Sequence, residues 1–324
     1  MQNGVEGRFK RCTLAAPDRI LVATDFSDME YLLPHAIAQA RAGGSEVTLV
    51  HAVSPYSGLP TEAGAVPSYV DRTKMVRDAR VMLLGVVRQI ESRGISCNTA
   101  VREGLASDVI HEELRRADAT RLILGTHGRG RLGQLALGSV AQELISTVNI
   151  PVFAVGPHAS DVVQHATPRN ILHPVSLMGD YQESVDLALD IAQTYRSELT
   201  LLYVLDPDVA DSTNPERILD WARNALDALT PDATALMPPV HTLVTTGQLT
   251  EEVLKAALQT NADWVVLGSD GDHRFGPINA STASKLLTSA TCPVLSFRHE
   301  PYRTGSRKLE VTAQRSFAPS IARA

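Results

Sequence analysis

The stretch "RILVATDFSDMEYLLPHAIAQARAGGSEVTLVHAV", from Arg19 to Val53, decides the fold of this chain. It opens and closes on short apolar runs, and a helical pattern of about 15 residues separates them. Continuous apolar runs such as "ILVAT" and "VTLVHAV" suit strands that are buried on both faces of a parallel sheet. The stretch therefore predicts a β-α-β unit.

The same pattern occurs a second time, in "NILHPVSLMGDYQESVDLALDIAQTYRSELTLLYVL" from Asn170 to Leu205. Each half then continues with a matched pair of segments, "RLILGTHG" with "NIPVFAVGP" and "WVVLGSDG" with "TCPVLSFRH". A repeat of about 150 residues is a domain and not a solenoid unit. We therefore predict an N-terminal extension over 1–17, a first domain over 18–156, a linker over 157–168, a second domain over 169–298 and a mostly flexible C-terminal tail over 299–324.

The segments between the predicted strands have helical periodicity. Ser27 can N-cap the first helix, with Glu30 completing a capping box. We expect the second helix to bury Val81, Leu83, Leu84, Val86, Val87 and Ile90. Alternating strands and helices predict an α/β fold with two tandem doubly wound open parallel sheets flanked by helices. Such sheets bind ligands at the carboxyl ends of their strands, near the topological switch point.

The composition argues against several classes of function. The chain is 44% hydrophobic and 20% charged, which is typical of a globular protein. A net charge of −6 and an aromatic content of 5% argue against a nucleic-acid binder or an acidic-membrane binder. The three cysteines are far apart and predict neither a disulfide framework nor a zinc site, so a reducing cytoplasmic compartment fits. No secretory signal or membrane-spanning run is predicted.

A glycine-rich stretch, "GTHGRGRLGQLALGS" over 125–139, lies between a predicted strand and a predicted helix. Three of its glycines match G-x-G-x-x-G, but that fingerprint belongs in the first β-α-β unit and needs an acidic residue at the end of the next strand. Here the next strand ends at Gly156 and Pro157 without an acid. Gln134 stands where a Walker A lysine would be. Neither a dinucleotide fingerprint nor a P-loop is therefore predicted.

A different spacing does match. Gly125, Gly128, Gly138 and Ser139 form G-x2-G-x9-G-S, which resembles the nucleotide-binding motif of the ATP-binding universal stress proteins. "ATDFS", "LVHAV" and "NIPVFAV" fall where that family places its first, second and last strands. The resemblance covers roughly 18–156 and 168–298 and implies a tandem member with a Rossmann-like, adenine nucleotide alpha hydrolase-like fold.

Glycine suits this motif because phosphates need backbone donors that can approach closely, and a Cβ would hold the backbone away. Gly125 and Gly128 would shape the turn after the strand. Gly138 and Ser139 would begin the next helix, whose free N–H groups attract an anion. Ser139 would add a hydroxyl donor and could cap that helix. The alternative is a flexible surface loop without a ligand.

The resemblance also implies the nucleotide site, with adenosine near the first two strands and the phosphates near the glycine stretch. Asp25 would accept hydrogen bonds from adenine or ribose, although it could merely start a helix. Arg129 either contacts a phosphate or is solvated, and His127 acts through its backbone or in proton transfer. The site residues would be Ala23, Thr24, Asp25, Ala52, Gly125, Thr126, His127, Gly128, Arg129, Gly138, Ser139 and Val140.

The second half departs from the motif. Ser176 replaces the acidic residue, and serine replaces the third glycine of the loop. Asp270 and Asp272 bring negative charge to the place of the phosphates. We therefore predict a degenerate, weakened or vacant second site made of Ser176, Gly268, Gly271, Ser281 and Thr282.

The resemblance implies an ATP-binding, nucleotide-dependent regulatory protein of the stress response. Its ligand would be ATP, or ADP or AMP, with Mg²⁺ bound through the phosphates and by no side chain. A slow ATPase or nucleotide-using enzyme is the alternative, although the sequence offers no catalytic residue, general base or arginine finger. A structural interaction protein with empty sites is the third possibility.

The final strands "PVFAV" and "CPVLSF" are short and apolar, and each can lie at a sheet edge that seeks a partner. In the family that the chain resembles, the last strands of two domains pair antiparallel, within one chain in tandem members. We expect this pairing here, and a homodimer of such chains in addition. An unidentified regulatory protein would be a further partner, with no nucleic acid or membrane.

Overall fold

The computed structural model describes residues 19–54, 71–126, 137–159, 167–177, 181–210, 215–230, 238–269 and 280–298. The predicted extension over 1–17, the tail over 299–324 and most of the linker lie outside these ranges. The first half alternates strands and helices as predicted. Its elements are β1 (Arg19–Ala23), α1 (Met29–Gly43), β2 (Glu46–Val53), α2 (Arg72–Glu91), β3 (Cys97–Glu103), α3 (Ala106–Arg116), β4 (Arg121–Gly125), α4 (Ser139–Thr147) and β5 (Val152–Val155).

The second half repeats this order with one additional short helix, α6, which the sequence pattern did not predict. Its elements are β6 (Asn170–Pro174), α5 (Gln182–Tyr195), β7 (Glu198–Leu205), α6 (Pro207–Ala210), α7 (Pro215–Asp227), β8 (Val240–Thr246), α8 (Leu249–Gln259), β9 (Trp264–Ser269), α9 (Ala280–Ser289) and β10 (Val294–Arg298). None of the helices in the described ranges is long and apolar enough to cross a membrane.

The strands form a single sheet of ten in the order β3-β2-β1-β4-β5-β10-β9-β6-β7-β8. Within each half every neighbouring pair is parallel, which confirms the predicted α/β fold. The two halves meet where β5 pairs antiparallel with β10, with Phe153 opposite Leu295. The predicted pairing of the last strands is thus confirmed, and it makes the two sheets continuous.

Helices cover both faces of the sheet. One layer consists of α1, α2, α5 and α7, and the opposite layer consists of α3, α4, α8 and α9. Strand residues alternate between the two layers, so that Ile20 and Val22 face the first layer while Leu21 and Ala23 face the second. Continuous apolar strands are required because each strand is buried on both sides.

Aromatic side chains join the halves on the first face. The ring centroid of Trp264 lies 5.2 Å from that of Phe153 and 5.1 Å from that of Tyr195, both edge to face. Buried Arg121 donates to Gln39 Oε1 and, over 3.2 Å, to the Tyr195 hydroxyl. The junction is therefore a packed part of the core and not only a strand pair.

The buried stripe of α2 differs from the expectation. Val81 and Leu84 are exposed to 64% and 53%, whereas Ala79, Leu83, Val87 and Ile90 are buried. Residues at intervals of three do not stay on one side of an α-helix. Val81 and Ile90 are separated by about 2.5 turns and so face opposite directions.

Candidate functional site

The carboxyl ends of β1 and β4 form the topological switch point of the first half. β1 lies between β2 and β4, so the chain leaves β1 toward one side and returns beside it on the other. This edge of the sheet brings together the predicted residues Ala23, Thr24, Asp25, Ala52, Gly125, Thr126, Gly138, Ser139 and Val140. His127, Gly128 and Arg129 lie outside the described residues. Binding by all of these residues stays a prediction.

The turn after β1 is held by several contacts. The Thr24 amide donates to the Val50 carbonyl over 3.1 Å, and His51 Nδ1 lies 2.9 Å from the Thr24 carbonyl oxygen. Phe26 adopts a left-handed φ of 73°, its amide donates to Thr24 Oγ1, and its ring packs 4.4 Å from that of His51. A non-glycine residue in this conformation persists only where its surroundings fix it, as they do here.

The predicted capping box at this turn is wrong. Helix α1 starts at Met29 with Asp28 at the N-cap, and no side chain caps it. The Ser27 hydroxyl donates instead to Asp25 Oδ1, which also accepts from the Ser27 amide over 2.9 Å. This local turn holds Asp25 half-buried at the rim of the switch point.

Asp28 is the residue that the sequence analysis missed. Its side chain is buried under the switch point, where Oδ1 accepts a 2.5 Å hydrogen bond from the Thr24 hydroxyl. Burial raises the pKa of this carboxyl to about 6, and the neighbouring charge of Asp25 adds to the rise. Hydrogen bonds from Thr24 and the Gly125 backbone oppose it. Its position just before α1 was the available signal, because Asp is a preferred N-cap residue.

Asp28 also explains the first glycine of the motif. A Cβ on Gly125 would lie 2.3 Å from Asp28 Oδ2 and 2.8 Å from Asp28 Cβ, which is too close for any side chain. The bare backbone at Gly125 is therefore required by a carboxylate of the chain itself. The motif by itself predicts a different reason for this glycine, namely the shape of the turn and the close approach of a phosphate.

The opposite wall of the site consists of Thr126 and the start of α4. The Thr126 amide donates to Val155, and its carbonyl accepts a 2.9 Å hydrogen bond from the Gly138 amide. That bond brings the two ends of the glycine-rich stretch together. Gly138 is the N-cap of α4, so the predicted capping by Ser139 is wrong, and Ser139 is the first helical residue.

The start of α4 is chemically suited to an anion. Among the described residues no side chain caps it, and the Ser139 side chain is exposed at its first position. The first N–H groups of an α-helix have no partner within the helix, and they lie at the positive end of its dipole. Together with the exposed hydroxyl, they offer several donors to a phosphate.

The corresponding edge of the second half keeps the backbone but loses polar groups. The Val175 amide donates to the Leu202 carbonyl, as Thr24 does to Val50, yet Val175 and Leu177 are apolar and buried. Half-buried Ser176 stands in the place of Asp25. Gly268 again allows a close approach, since a Cβ there would lie 2.6 Å from the Cβ of Ser184.

Of the predicted loop residues in this half, Ser281 and Thr282 both lie within α9. Thr282 is half-buried. Gly271 lies outside the described residues, as do Asp270 and Asp272.

A buried histidine lies beneath the second edge. His173 Nδ1 is 2.9 Å from the Val266 carbonyl oxygen, and Nε2 has no hydrogen-bond partner among the described residues. Burial lowers the pKa of His173 to about 4, while the hydrogen bond to Val266 raises it slightly. The His173 side chain is therefore uncharged at neutral pH and is part of the packed core.

Comparisons with known proteins all point to one protein family. A model of the universal stress protein family matches residues 17–166 and again residues 168–298. A universal stress protein of Methanocaldococcus jannaschii is 30% identical over 141 residues, which are 42% of this chain and 81% of that protein.

Among solved structures, a universal stress protein from Archaeoglobus fulgidus DSM 4304 has a TM-score of 0.65 at 18% identity, over 89% of this chain and 99% of that one. This likeness shows the fold alone. Another universal stress protein from Archaeoglobus fulgidus, solved in complex with dAMP, is 24% identical over 42% of this chain and 96% of that one, with a TM-score of 0.31.

The two matched segments coincide with the two structural halves. The first spans β1 to β5, and the second spans β6 to β10. Because both segments match the same family model, the chain belongs to the universal stress protein family and carries the family's domain twice in tandem.

Proposed function

We propose that this chain binds one adenine nucleotide at the carboxyl ends of β1 and β4 and acts as a nucleotide-dependent regulatory protein in the stress response. The observation that carries this proposal is the uncapped start of α4, held against Thr126 by the Gly138 hydrogen bond. An anion is favoured there by the helix dipole and free N–H groups.

The proposed contacts follow the two walls of the site. Asp25, half-buried at the rim, accepts hydrogen bonds from ribose or adenine, and Ala23, Thr24 and Ala52 form the wall against which the adenosine lies. The phosphates lie against Thr126, Gly138, Ser139 and Val140. His127, Gly128 and Arg129 complete the loop around them. The ligand is ATP, or ADP or AMP, with Mg²⁺ held through the phosphates.

One nucleotide per chain is proposed because the second edge is chemically different. Apolar Val175 replaces Thr24, and the uncharged Ser176 replaces Asp25. The second loop also has Asp270 and Asp272 in its sequence, and negative charge there opposes a phosphate.

A regulatory role is proposed in preference to fast chemistry. Asp28 has a pKa suited to a general base, but it is buried and accepts from Thr24, so a water molecule has little access to it. ATP turnover is therefore expected below roughly one per minute, against about 10 s⁻¹ for typical enzymes. The second candidate function is a slow ATPase, and the raised pKa of Asp28 is the observation in its favour.

We further propose that chains associate as homodimers, act on a regulatory protein partner and reside in the cytoplasm. Cys97 and Cys292 are free thiols, and burial raises the pKa of each to about 12. Free cysteines without a disulfide partner among the described residues fit a reducing compartment.

The proposed nucleotide site is tested on the purified full chain. Nucleotide released on denaturation is identified by mass spectrometry, and titration calorimetry of the nucleotide-free chain with ATP, ADP and AMP gives the stoichiometry. One site per chain is expected. Two equivalent sites, or no binding of any adenine nucleotide, would contradict the proposal. Phosphate release at several turnovers per second would favour the enzyme.

A further inference from the structure

Helix α2 exposes three large apolar side chains. Val81, Met82 and Leu84 are exposed to 64%, 50% and 53% on a helix whose opposite side is buried in the core. Isolated apolar residues are common on protein surfaces, but a contiguous group on one helix indicates an interaction site. The chain's own described residues leave this group uncovered.

Gly85 lies in the same exposed face, in the middle of α2. A glycine at such a position costs a helix stability relative to alanine. A Cβ at Gly85 would meet nothing within 4 Å, so the described fold gives no reason for the missing side chain. A glycine on a helix surface allows another helix to approach closely.

The exposed face has the spacing of a helix–helix seam. A stripe of residues runs along it at alternating intervals of four and three, and every member is exposed. Such 3-4 spacing keeps a stripe facing a partner helix that packs nearly parallel or antiparallel to it. The stripe consists of Lys74, Asp78, Val81, Gly85, Arg88 and Ser92.

The stripe is complementary to itself in the antiparallel direction. With a two-fold axis midway between Val81 and Gly85, Val81 faces the partner subunit's Gly85, and the reverse contact is identical. Asp78 then faces the partner subunit's Arg88. In a parallel arrangement Asp78 would face its own copy, as would Arg88, and like charges would repel.

The flanking rows follow the same symmetry. Leu84 lies opposite its own copy on one side of the stripe, and Met82 lies opposite its own copy on the other. Arg77 faces the partner subunit's Glu91, which adds a second pair of opposite charges on each side of the axis. Within the described residues, these four charged side chains have no ion pair.

We propose that α2 is the surface through which two copies of this chain associate, antiparallel about a two-fold axis between Val81 and Gly85. The inference names the surface of the proposed homodimer and does not depend on the nucleotide site. α2 is the outermost helix of its layer, over the edge strand β3 and its neighbour β2, and the β5 edge is already used within the chain. A helix of 20 residues is about 30 Å long, so one such contact is a small interface, for which we expect weak association.

The first test is light scattering of the full chain over roughly 1 to 100 µM, a range that spans micromolar affinity. The mass is expected to rise from the 34.9 kDa of one chain toward twice that value. Asp78→Arg or Arg88→Asp alone weakens association at least tenfold, and the two changes together restore it, which also shows that the variants fold. Leu258→Glu is the control, because Leu258 is an equally exposed apolar residue on α8.

Each other outcome overturns the proposal. If the chain stays monomeric throughout this range, both the proposed homodimer and the proposed α2 surface are wrong. A dimer that survives either single charge reversal, or is not restored by the double change, forms through another surface. In neither case is the nucleotide site affected, and calorimetry with ATP checks it separately.

Gly85 provides a second, independent measurement. Gly85→Ala and Gly85→Leu both raise helix propensity, so both raise the melting temperature of the dilute monomer. Only Gly85→Leu blocks the close approach of the partner subunit's Val81, and it weakens association at least tenfold more than Gly85→Ala does. Equal association of the two variants would overturn the antiparallel contact.

Discussion

At the scale of single residues, the contact between Asp28 and Gly125 organises the candidate site. The carboxylate of Asp28 occupies the space that a side chain on Gly125 would need, and it accepts from Thr24 on β1's carboxyl end. One buried side chain thereby ties the turn after β1 to the end of β4. The buried position of the Asp28 side chain therefore requires a residue without a side chain at position 125.

Gly125→Ala tests this contact. The new Cβ would lie 2.3 Å from Asp28 Oδ2 and would displace the carboxylate or the turn. We expect the free energy of unfolding to fall by about 1–3 kcal/mol, as for an overpacked core. Gly268→Ala is the comparison for a clash without a charged group, since its Cβ would lie 2.6 Å from the Ser184 Cβ, and it should lose stability as well. Urea denaturation at pH 7 measures both variants, and an unchanged stability of Gly125→Ala would contradict the contact.

Asp28 also predicts a pH dependence. Its folded pKa of about 6 exceeds the model-compound value of 3.8, so the folded state binds the proton more tightly. Stability from this group therefore falls as pH rises from about 4 to about 6, by on the order of 2–3 kcal/mol. We expect the stability of Asp28→Asn relative to the unmodified chain to be higher at pH 7 than at pH 4.

The variant must be compared with the unmodified chain at each pH, because His173 changes the stability with pH in the opposite direction. Its pKa is lowered to about 4, so its contribution to stability is lost as pH falls below about 6.5. Asp28→Asn leaves that contribution unchanged, and the difference between variant and parent isolates Asp28. The same difference at both pH values, measured by urea denaturation, would show that the carboxyl has an ordinary pKa.

At the scale of elements, the starts of helices α1 and α4 determine what the site can do. Within the described part of the chain, neither start has a side-chain hydrogen bond from its N-cap residue. At α1 the buried Asp28 is the N-cap, which places negative charge close to the N-terminal end of the dipole. At α4 the cap is an uncharged glycine and the first residue is an exposed serine. An anion is therefore favoured at α4 and not at α1.

Gly138→Val tests the start of α4. Gly138 has φ −59° and ψ 140°, a conformation that valine adopts readily, so the fold should persist. The added side chain would hold a phosphate away from the free N–H groups, and we expect ATP affinity to fall at least about 100-fold, or about 2.7 kcal/mol. Ser281→Val, at the corresponding position of the second motif, should leave the affinity unchanged. Calorimetry that shows equal affinities for the two variants would contradict the proposed site.

At the scale of the whole molecule, the two domains share one sheet and one aromatic junction. β5 and β10 pair antiparallel, and Trp264 packs against Phe153 across the boundary and against Tyr195 of its own half. Loss of either half would leave buried apolar surface and strand edges exposed to water. The chain should therefore unfold as one cooperative unit.

The two tryptophans provide the measurement. Trp264 is 5% exposed at the junction, whereas Trp221 is 47% exposed on α7. In a Trp221→Phe variant, fluorescence reports the junction alone, and its urea transition should coincide with that of far-UV circular dichroism. Phe153→Ala should shift both transitions together, with a loss of about 3–5 kcal/mol. Separate fluorescence and dichroism transitions would mean that the halves unfold independently.

Local pattern by itself determined the order of elements and the repeat, because continuous apolar strands and helical periodicity are properties of neighbouring residues. "ILVAT" and "VTLVHAV" became β1 and β2, and the resemblance of the last strands to family members anticipated the β5–β10 pair. The carboxyl edge also followed, since Asp25, Thr126 and Gly138 lie where parallel strands end.

Only the tertiary structure decided which face of α2 is buried, because intervals of three do not specify one side of a helix over several turns. Only the tertiary structure showed that Asp28 lies against Gly125 and that Gly138 is the N-cap of α4. These contacts join residues that are distant in sequence or depend on where a helix starts. Burial, close approach and pKa arise from the packed surroundings of a residue, and a pattern of neighbours does not contain them.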